Sequence, residues 1–175
     1  QQAVRAHTTA GLLERGHLLG LPLAAPGGAA PVHWCKRSVR GTPRAPRTGV
    51  PPLVVDLSAL WAGPLCSSLL HSAGARVIRV ESTTRPDPTR QAAPAFFDLL
   101  HAGKEQVALD FGSERGRAQL CRLLAAADIV IEGSRPRALR QLGIVAEDVV
   151  AARPGVVWLS LTGYGRPEPF ANRVA

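Results

Sequence analysis

The sequence predicts an α/β fold, and three observations predict it. Five short runs rich in β-branched residues recur after residue 52, helical stretches separate them, and glycine or aspartate closes those helices. Strand, helix, strand in that order implies parallel pairing, because two parallel neighbours need a crossover between them. The expected architecture is a Rossmann-like open parallel sheet with helices on both faces. A Pro/Gly-rich basic tail over residues 1–50 precedes it, and residues 51–175 form the domain.

Residues 8–19, "TTAGLLERGHLL", are weakly helical, with Leu12, Leu13 and Leu19 apolar, and the Gly and Pro of "GLPLAAPGGAAP" stop that helix. The strands are expected at Leu53–Leu57, Arg76–Glu81, Gln106–Phe111, Ile129–Glu132 and Val156–Leu161. Pro64 suits a first helical position, where a missing N–H costs nothing, and Gly74 suits a left-handed cap, so a helix is expected over Pro64–Ala73. Residues 82–104, "STTRPDPTRQAAPAFFDLLHAGK", form a long proline-bearing excursion, and the pair Phe96 and Phe97 argues that it is ordered. Ser113 is an N-cap with Glu114 against the positive helix end. Leu120, Leu123, Leu124 and Ala127 then form an apolar stripe in a helix ending near Asp128.

With 175 residues, 46% of them hydrophobic and 19% charged, the chain has enough material for one ordinary core and a tail. No apolar run approaches the roughly 18 residues that span a bilayer, and the start of the sequence lacks a leader pattern, so a cytoplasmic protein with no membrane partner is expected. The net charge of +8 invites a nucleic-acid reading, but its distribution argues against one. Residues 1–50 hold seven Lys and Arg against the single acid Glu14, leaving fourteen basic against twelve acidic residues for the rest. The basic cluster "KRSVRGTPRAPRTG" lies among Pro and Gly that prevent its charges from lining one face, which reads as a solvated linker. Cys35, Cys66 and Cys121 share no metal-ligand or disulfide spacing, so no metal is expected, and Cys66 and Cys121 read as buried thiols on apolar helix faces.

The first strand-to-helix turn asks what ligand it serves. A dinucleotide fingerprint needs G-x-G-x-x-G so that pyrophosphate can approach the backbone, whereas "DLSALWAGPLCSS" supplies Gly63 alone. Glu81 matches the position of a ribose-binding acid, but without the glycines that is half a signal. A helix N-terminus still suits an anion, so Gly63 and the first helical turn remain a place for a phosphate or a carbonyl group. No G-x-S-x-G elbow occurs, His71 and His101 read as structural, and Asp56 and Asp110 read as turn residues at strand ends. The residues by themselves therefore stop at a Rossmann-like domain with an unassigned ligand.

Six blocks in order extend the reading: "VVDLSALWAGP", "GARVIRVE", "DPTR", "FFDLLHAGKEQVALDF", "AADIVIEGSRPRALRQLGI" and "RPGVVWLSLTGYGRPEPFANRVA". From Leu53 to Ala175 the chain resembles the class III CoA-transferases of the CaiB/BaiF type, a family that includes carnitine and formyl/oxalate CoA-transferases and α-methylacyl-CoA racemases. The resemblance implies that coenzyme A, as an acyl-CoA substrate, takes the place of a dinucleotide. It implies contacts to it from Trp61, Ala62, Ser82, His101, Lys104, Gly133, Ser134, Arg135, Gln141, Thr162, Gly163, Tyr164 and Gly165. Lys104 would neutralise a phosphate as a point charge, and the Gly163–Gly165 backbone would allow close approach. Trp61 stands where formyl/oxalate members have glutamine, and Gly133-Ser134 where Asn-aromatic is common. Gln141 replaces a basic residue and Thr162 a lysine of some members, while Arg135, Arg137 and Arg140 keep charge nearby.

The resemblance further implies transfer of CoA between carboxylic acids through an aspartyl-CoA thioester. The family's nucleophilic aspartate, and the histidine and aspartate of the racemases, lie beyond the "GYG" block, so no catalytic residue is expected before Ala175 and this chain alone is expected to be inactive. A racemase, or a noncatalytic half that pairs with an active module, are the alternatives. Partners implied are acyl-CoA, a carboxylic acid, and a second subunit or tandem module. "AGLLERGHLLGLPLAAP" is similar to the end of a family module, so the tail reads either as a junction between two modules or as an ordinary extension.

Overall fold

The computed structural model describes residues 6–21, 23–26, 35–45, 48–163 and 165–166. They fall into two units, residues 40–161 and the described residues of 1–39 with 162–175. In the smaller unit, helix α1 (Thr9–Leu18) is capped by Thr8, whose side chain accepts the Gly11 N–H. This is the weak helix that the sequence predicts.

The larger unit contains the sheet. In chain order it runs β1 (Leu53–Asp56), α2 (Ala62–Ser72), β2 (Arg76–Ser82), α3 (Thr89–Ala92), α4 (Pro94–His101), β3 (Glu105–Leu109), α5 (Glu114–Ala126), β4 (Ile129–Glu132), α6 (Pro136–Gln141), α7 (Ala146–Ala152) and β5 (Val157–Ser160). The five strands are all parallel, in the order β3-β2-β1-β4-β5. Alternation along β1 sends Val54 to one face, where Val77, Ile131 and α2 residues Cys66 and Leu70 cover it. Val55 points to the other, against Val130 and the α5 residues Leu120 and Leu124. Helices thus cover both faces. Each fully buried Leu or Val contributes on the order of 1.5–3 kcal/mol through apolar area removed from water.

Local signals explain most element ends. Ser113 caps α5 by accepting the Gly116 N–H at 3.0 Å, and Gly74, at φ 96°, closes α2 as expected. Helix α2 begins at Ala62, two residues ahead of the expected Pro64. Proline is tolerated through the first turn, where N–H groups lack partners within the helix. Strand β3 ends at Leu109 rather than Phe111, because Asp110 accepts the Gly112 N–H at 2.9 Å and turns the chain. Cys121, read as buried, is exposed, and Cys66 is half-buried. The excursion is ordered around two short helices, with Phe97 buried and Phe96 at the surface. Part of the basic linker, read as solvated, lies on the sheet unit: Gly155 donates its N–H to the Thr42 carbonyl at 3.0 Å.

Candidate functional site

Strand order reverses direction at β1. From β1 the chain passes to α2 on one face of the sheet, and from β4 it passes to α6 on the other, which opens a crevice beyond the carboxyl ends of these two neighbours. The Leu57 N–H donates to the Ile131 carbonyl at 2.8 Å and holds the two strand ends together. Two glycines sit there with different surroundings. A Cβ at Gly63 would overlap the Ser58 side chain and approach Leu161 Cδ1 to 3.2 Å, so packing requires glycine. A Cβ at Gly133 would meet only Ser58 Cβ, at 3.8 Å, so its exposed backbone is open to a ligand.

The floor of the crevice is a buried polar network. Asp56, fully buried at the end of β1, accepts the Ser58 N–H at 2.9 Å and bonds from the hydroxyls of both Ser58 and Ser67. Lys104, 8% exposed, donates from Nζ to Ser67 Oγ and to the Pro64 carbonyl, each at 2.7 Å. Burial pulls the Lys104 ammonium down to about 8; attraction to Asp56 opposes that, and repulsion from Arg79 adds to it.

A second cluster fastens the excursion to β2. The Arg79 guanidinium, 1% exposed, bonds Asp87 at 3.3 Å and Glu81 at 3.1 Å, and lies 5.1 Å from the Phe97 ring centroid. Arg90 caps the same ring at 4.3 Å and bonds Glu81 at 2.5 Å. Burial pushes the carboxyls of Glu81 and Asp87 up, but hydrogen bonds and the Arg79 charge outweigh it and hold both below their ordinary values. Asp87 also accepts the Leu60 N–H at 3.1 Å, so the excursion grips the turn between β1 and α2. Glu81, read as a half-signal for ribose, is thereby committed to internal partners.

The structure brings part of the expected site together. Trp61 and Ala62 follow β1, Ser82 ends β2, and Gly133, Ser134 and Arg135 follow β4, so all six sit at the same end of three adjacent strands. Trp61 is 63% exposed. Ser134 caps Glu132 with N–H and hydroxyl bonds at 3.0 and 3.1 Å. His101 and Lys104 precede β3 and lie under the sheet's helical cover. Lys104 turns its charge inward instead of presenting it as a surface point charge, because Ser67 and Pro64 satisfy it there. Both nitrogens of the buried His101 lack a hydrogen-bond partner among the described residues, and its ring packs on Phe97 with centroids 4.3 Å apart. Burial, with Arg79 and Lys104 nearby, pulls its imidazole down to about 4, which keeps it neutral. Gln141 is exposed at the far end of α6. Thr162, Gly163 and Gly165 belong to the smaller unit, where the Gly165 N–H donates to Thr162 Oγ1 at 3.0 Å; Tyr164 lies outside the described residues.

Sequence reasoning missed Ser58, Ser67, Arg79 and the role of Asp87. Arg79 carried a signal: in "RVIRVE" it falls at a position that alternation assigns to a buried face of a central strand, and a buried arginine demands a carboxylate. Asp56, read as a turn residue, makes that turn and is also the acceptor of Ser67. Among the described residues no group of three His, Cys, Asp or Glu is arranged to hold a metal ion, and no helix is long and apolar enough to cross a membrane.

An open parallel sheet whose strand order reverses beside an open glycine defines the class, a doubly wound α/β protein. Residues 52–175 match CoA-transferase family III, and the chain belongs to that family. It is similar to succinyl-CoA–D-citramalate CoA-transferase of Chloroflexus aurantiacus, with 31% identity over 127 residues, 69% of this chain and 32% of that protein. Acetyl-CoA:oxalate CoA-transferase of Acetobacter aceti is 30% identical over 136 residues, 74% of this chain and 34% of its own length. Among solved structures, a CAIB/BAIF family protein from Brucella suis aligns with a TM-score of 0.63 at 36% identity, covering 71% of this chain and 35% of that one. Rv3272 from Mycobacterium tuberculosis aligns with a TM-score of 0.65 at 32% identity, covering 77% and 38%. The chain thus spans about a third of the length of the relatives it matches.

Proposed function

We propose that residues 52–175 hold the coenzyme A portion of an acyl-CoA in a protein that moves CoA between carboxylic acids. The observation that carries this reading is the open backbone of Gly133 beside the Ser58–Gly63 turn, in a chain of CoA-transferase family III. A thioester-bearing pantetheine arm is thin and largely uncharged, and suits a crevice with one open glycine better than a pyrophosphate, which wants several converging N–H groups. Trp61, Ala62, Ser82, Gly133, Ser134 and Arg135 are its contacts in this reading, with Arg135 available to a phosphate. Gln141 adds a polar contact. His101 and Lys104 act from beneath.

The reading divides the labour. The two carboxylates nearest the crevice, Asp56 and Glu132, are each 0% exposed and tied to serines, so neither suits a nucleophile. The attacking aspartate of a transfer reaction is assigned to polypeptide other than residues 52–161. Its carboxylate would attack the thioester carbonyl and break the C–S bond, giving a mixed anhydride and CoA thiolate. The thiolate would then attack the aspartyl carbonyl, releasing the donor acid as carboxylate and leaving an aspartyl-CoA thioester. An acceptor carboxylate runs the two steps in reverse. Equilibrium dialysis of the full chain against acetyl-CoA, with NAD as control, tests the reading. Retention of acetyl-CoA over NAD supports it, and equal or absent retention of both would refute it.

A further inference from the structure

Among the described residues Leu60 is the one non-glycine with a left-handed backbone, at φ 69°. That conformation crowds Cβ against the neighbouring carbonyl and costs roughly 1–2 kcal/mol, so it persists only where the surroundings overrule it. The Leu60 side chain, 54% exposed, supplies little packing to do so. Two buried carboxylates supply the constraint instead. Asp87 accepts the Leu60 N–H at 3.1 Å, and Asp56 accepts the Ser58 N–H at 2.9 Å. Each carboxylate has its own cation: Arg79 bonds Asp87 directly at 3.3 Å, while Lys104 reaches Asp56 through the shared Ser67 hydroxyl. Asp87 lies near the start of the β2–β3 excursion and Lys104 at its end.

We propose that Asp87 and Lys104 are positioning residues through which the excursion clamps the β1–α2 turn, with Leu60 left-handed, in the shape that presents Trp61 and Ala62 to an acyl-CoA. This deepens the functional reading above and rests on it, although the clamp itself belongs to the chain without ligand. The clamp accounts for the length of the excursion. A connection of some 22 residues replaces a short one because it must return two charges to a turn that belongs to a different strand. It also explains why Lys104 bonds inward. An ammonium needed for phosphate would gain nothing from two buried acceptors, whereas one that anchors Ser67 requires them.

Amide hydrogen exchange of the full chain tests the clamp without ligand. Asp87→Ala and Ser67→Ala should each speed exchange at Ser58 and Leu60 at least tenfold while leaving α5 unchanged. If Asp87→Ala fails to fold, Ser67→Ala, which removes one hydroxyl and leaves both charges, decides alone. Leu60→Gly added to Asp87→Ala should return the Trp61 indole N–H resonance toward its native position, because glycine adopts the left-handed region freely. A purely structural Asp87–Arg79 pair would show no such rescue. Unchanged exchange at both amides overturns the clamp whatever coenzyme A does. Faster exchange in a chain whose native form ignores coenzyme A would sustain the clamp and sink the functional reading.

Discussion

The backbone N–H of Leu60 donates to Oδ2 of Asp87 at 3.1 Å, joining the β1–α2 turn to a residue 27 positions later in the chain. The same carboxylate receives Arg79 on one oxygen and both the N–H and hydroxyl of Thr89 on the other. One buried aspartate therefore orders three segments, and the shape of the crevice depends on it.

Substitutions at Leu60 should report backbone strain and little else, since the side chain is mostly in water. Leu60→Gly is expected to leave stability unchanged or raise it by up to about 1 kcal/mol, the left-handed penalty less the extra entropy of glycine. Leu60→Val is expected to lower it by about 1–2 kcal/mol, because a β-branched residue fits that region worst. Urea unfolding measures both.

His101 should make the protein acid-sensitive. Its imidazole titrates at about 4 when folded against an ordinary 6.5, so between these values the unfolded chain binds more protons and stability falls as pH drops through that window. His101→Leu should flatten the slope of unfolding free energy between pH 6.5 and 4. An unaltered slope would show that other groups carry it.

Lys104 works in the alkaline range with the same sign. Asp56, Cys66, Arg79 and His101 face it, and its folded value of about 8 lies below the ordinary 10.5. Between the two the unfolded chain again holds more protons, so this group's contribution to stability rises with pH. Lys104→Met should abolish that rise in thermal melts recorded from pH 8 to 10.5.

Gly63→Ala should cost about 1–3 kcal/mol, because its Cβ would overlap the Ser58 side chain, which Asp56 holds in place through the Ser58 hydroxyl and backbone N–H. Gly133→Ala should be nearly neutral. Paired melts of the two variants separate a glycine required by packing from one left open.

The sheet was legible because β-branched runs and stop residues are local signals: Ile129–Glu132 falls where the sequence puts it, and Ser113 starts α5 and Gly74 closes α2 by rules that span four residues. Helix α4 was not read, although Pro94 at its first turn is such a signal; the sequence reading took from the excursion only that Phe96 and Phe97 order it. The clamp was not. Lys104 meets Ser67 across 37 residues and Leu60 meets Asp87 across 27, and no local pattern records pairings that only the folded sheet creates. A left-handed leucine is likewise silent in sequence, because leucine carries no preference for that region and tertiary bonds impose it. Of the candidate site, position in the sequence was enough to put Trp61, Ala62, Ser82 and Gly133–Arg135 at strand ends, whereas Lys104, read as a point charge for a phosphate, donates to Ser67 and the Pro64 carbonyl inside the fold.

Titration calorimetry of coenzyme A into the native chain and into Gly133→Val tests the central claim most directly. The account predicts saturable heat at submillimolar coenzyme A for the native chain and at least tenfold weaker binding for the valine variant, with matching thermal midpoints. No heat at millimolar coenzyme A, or equal affinity in both proteins, would contradict it.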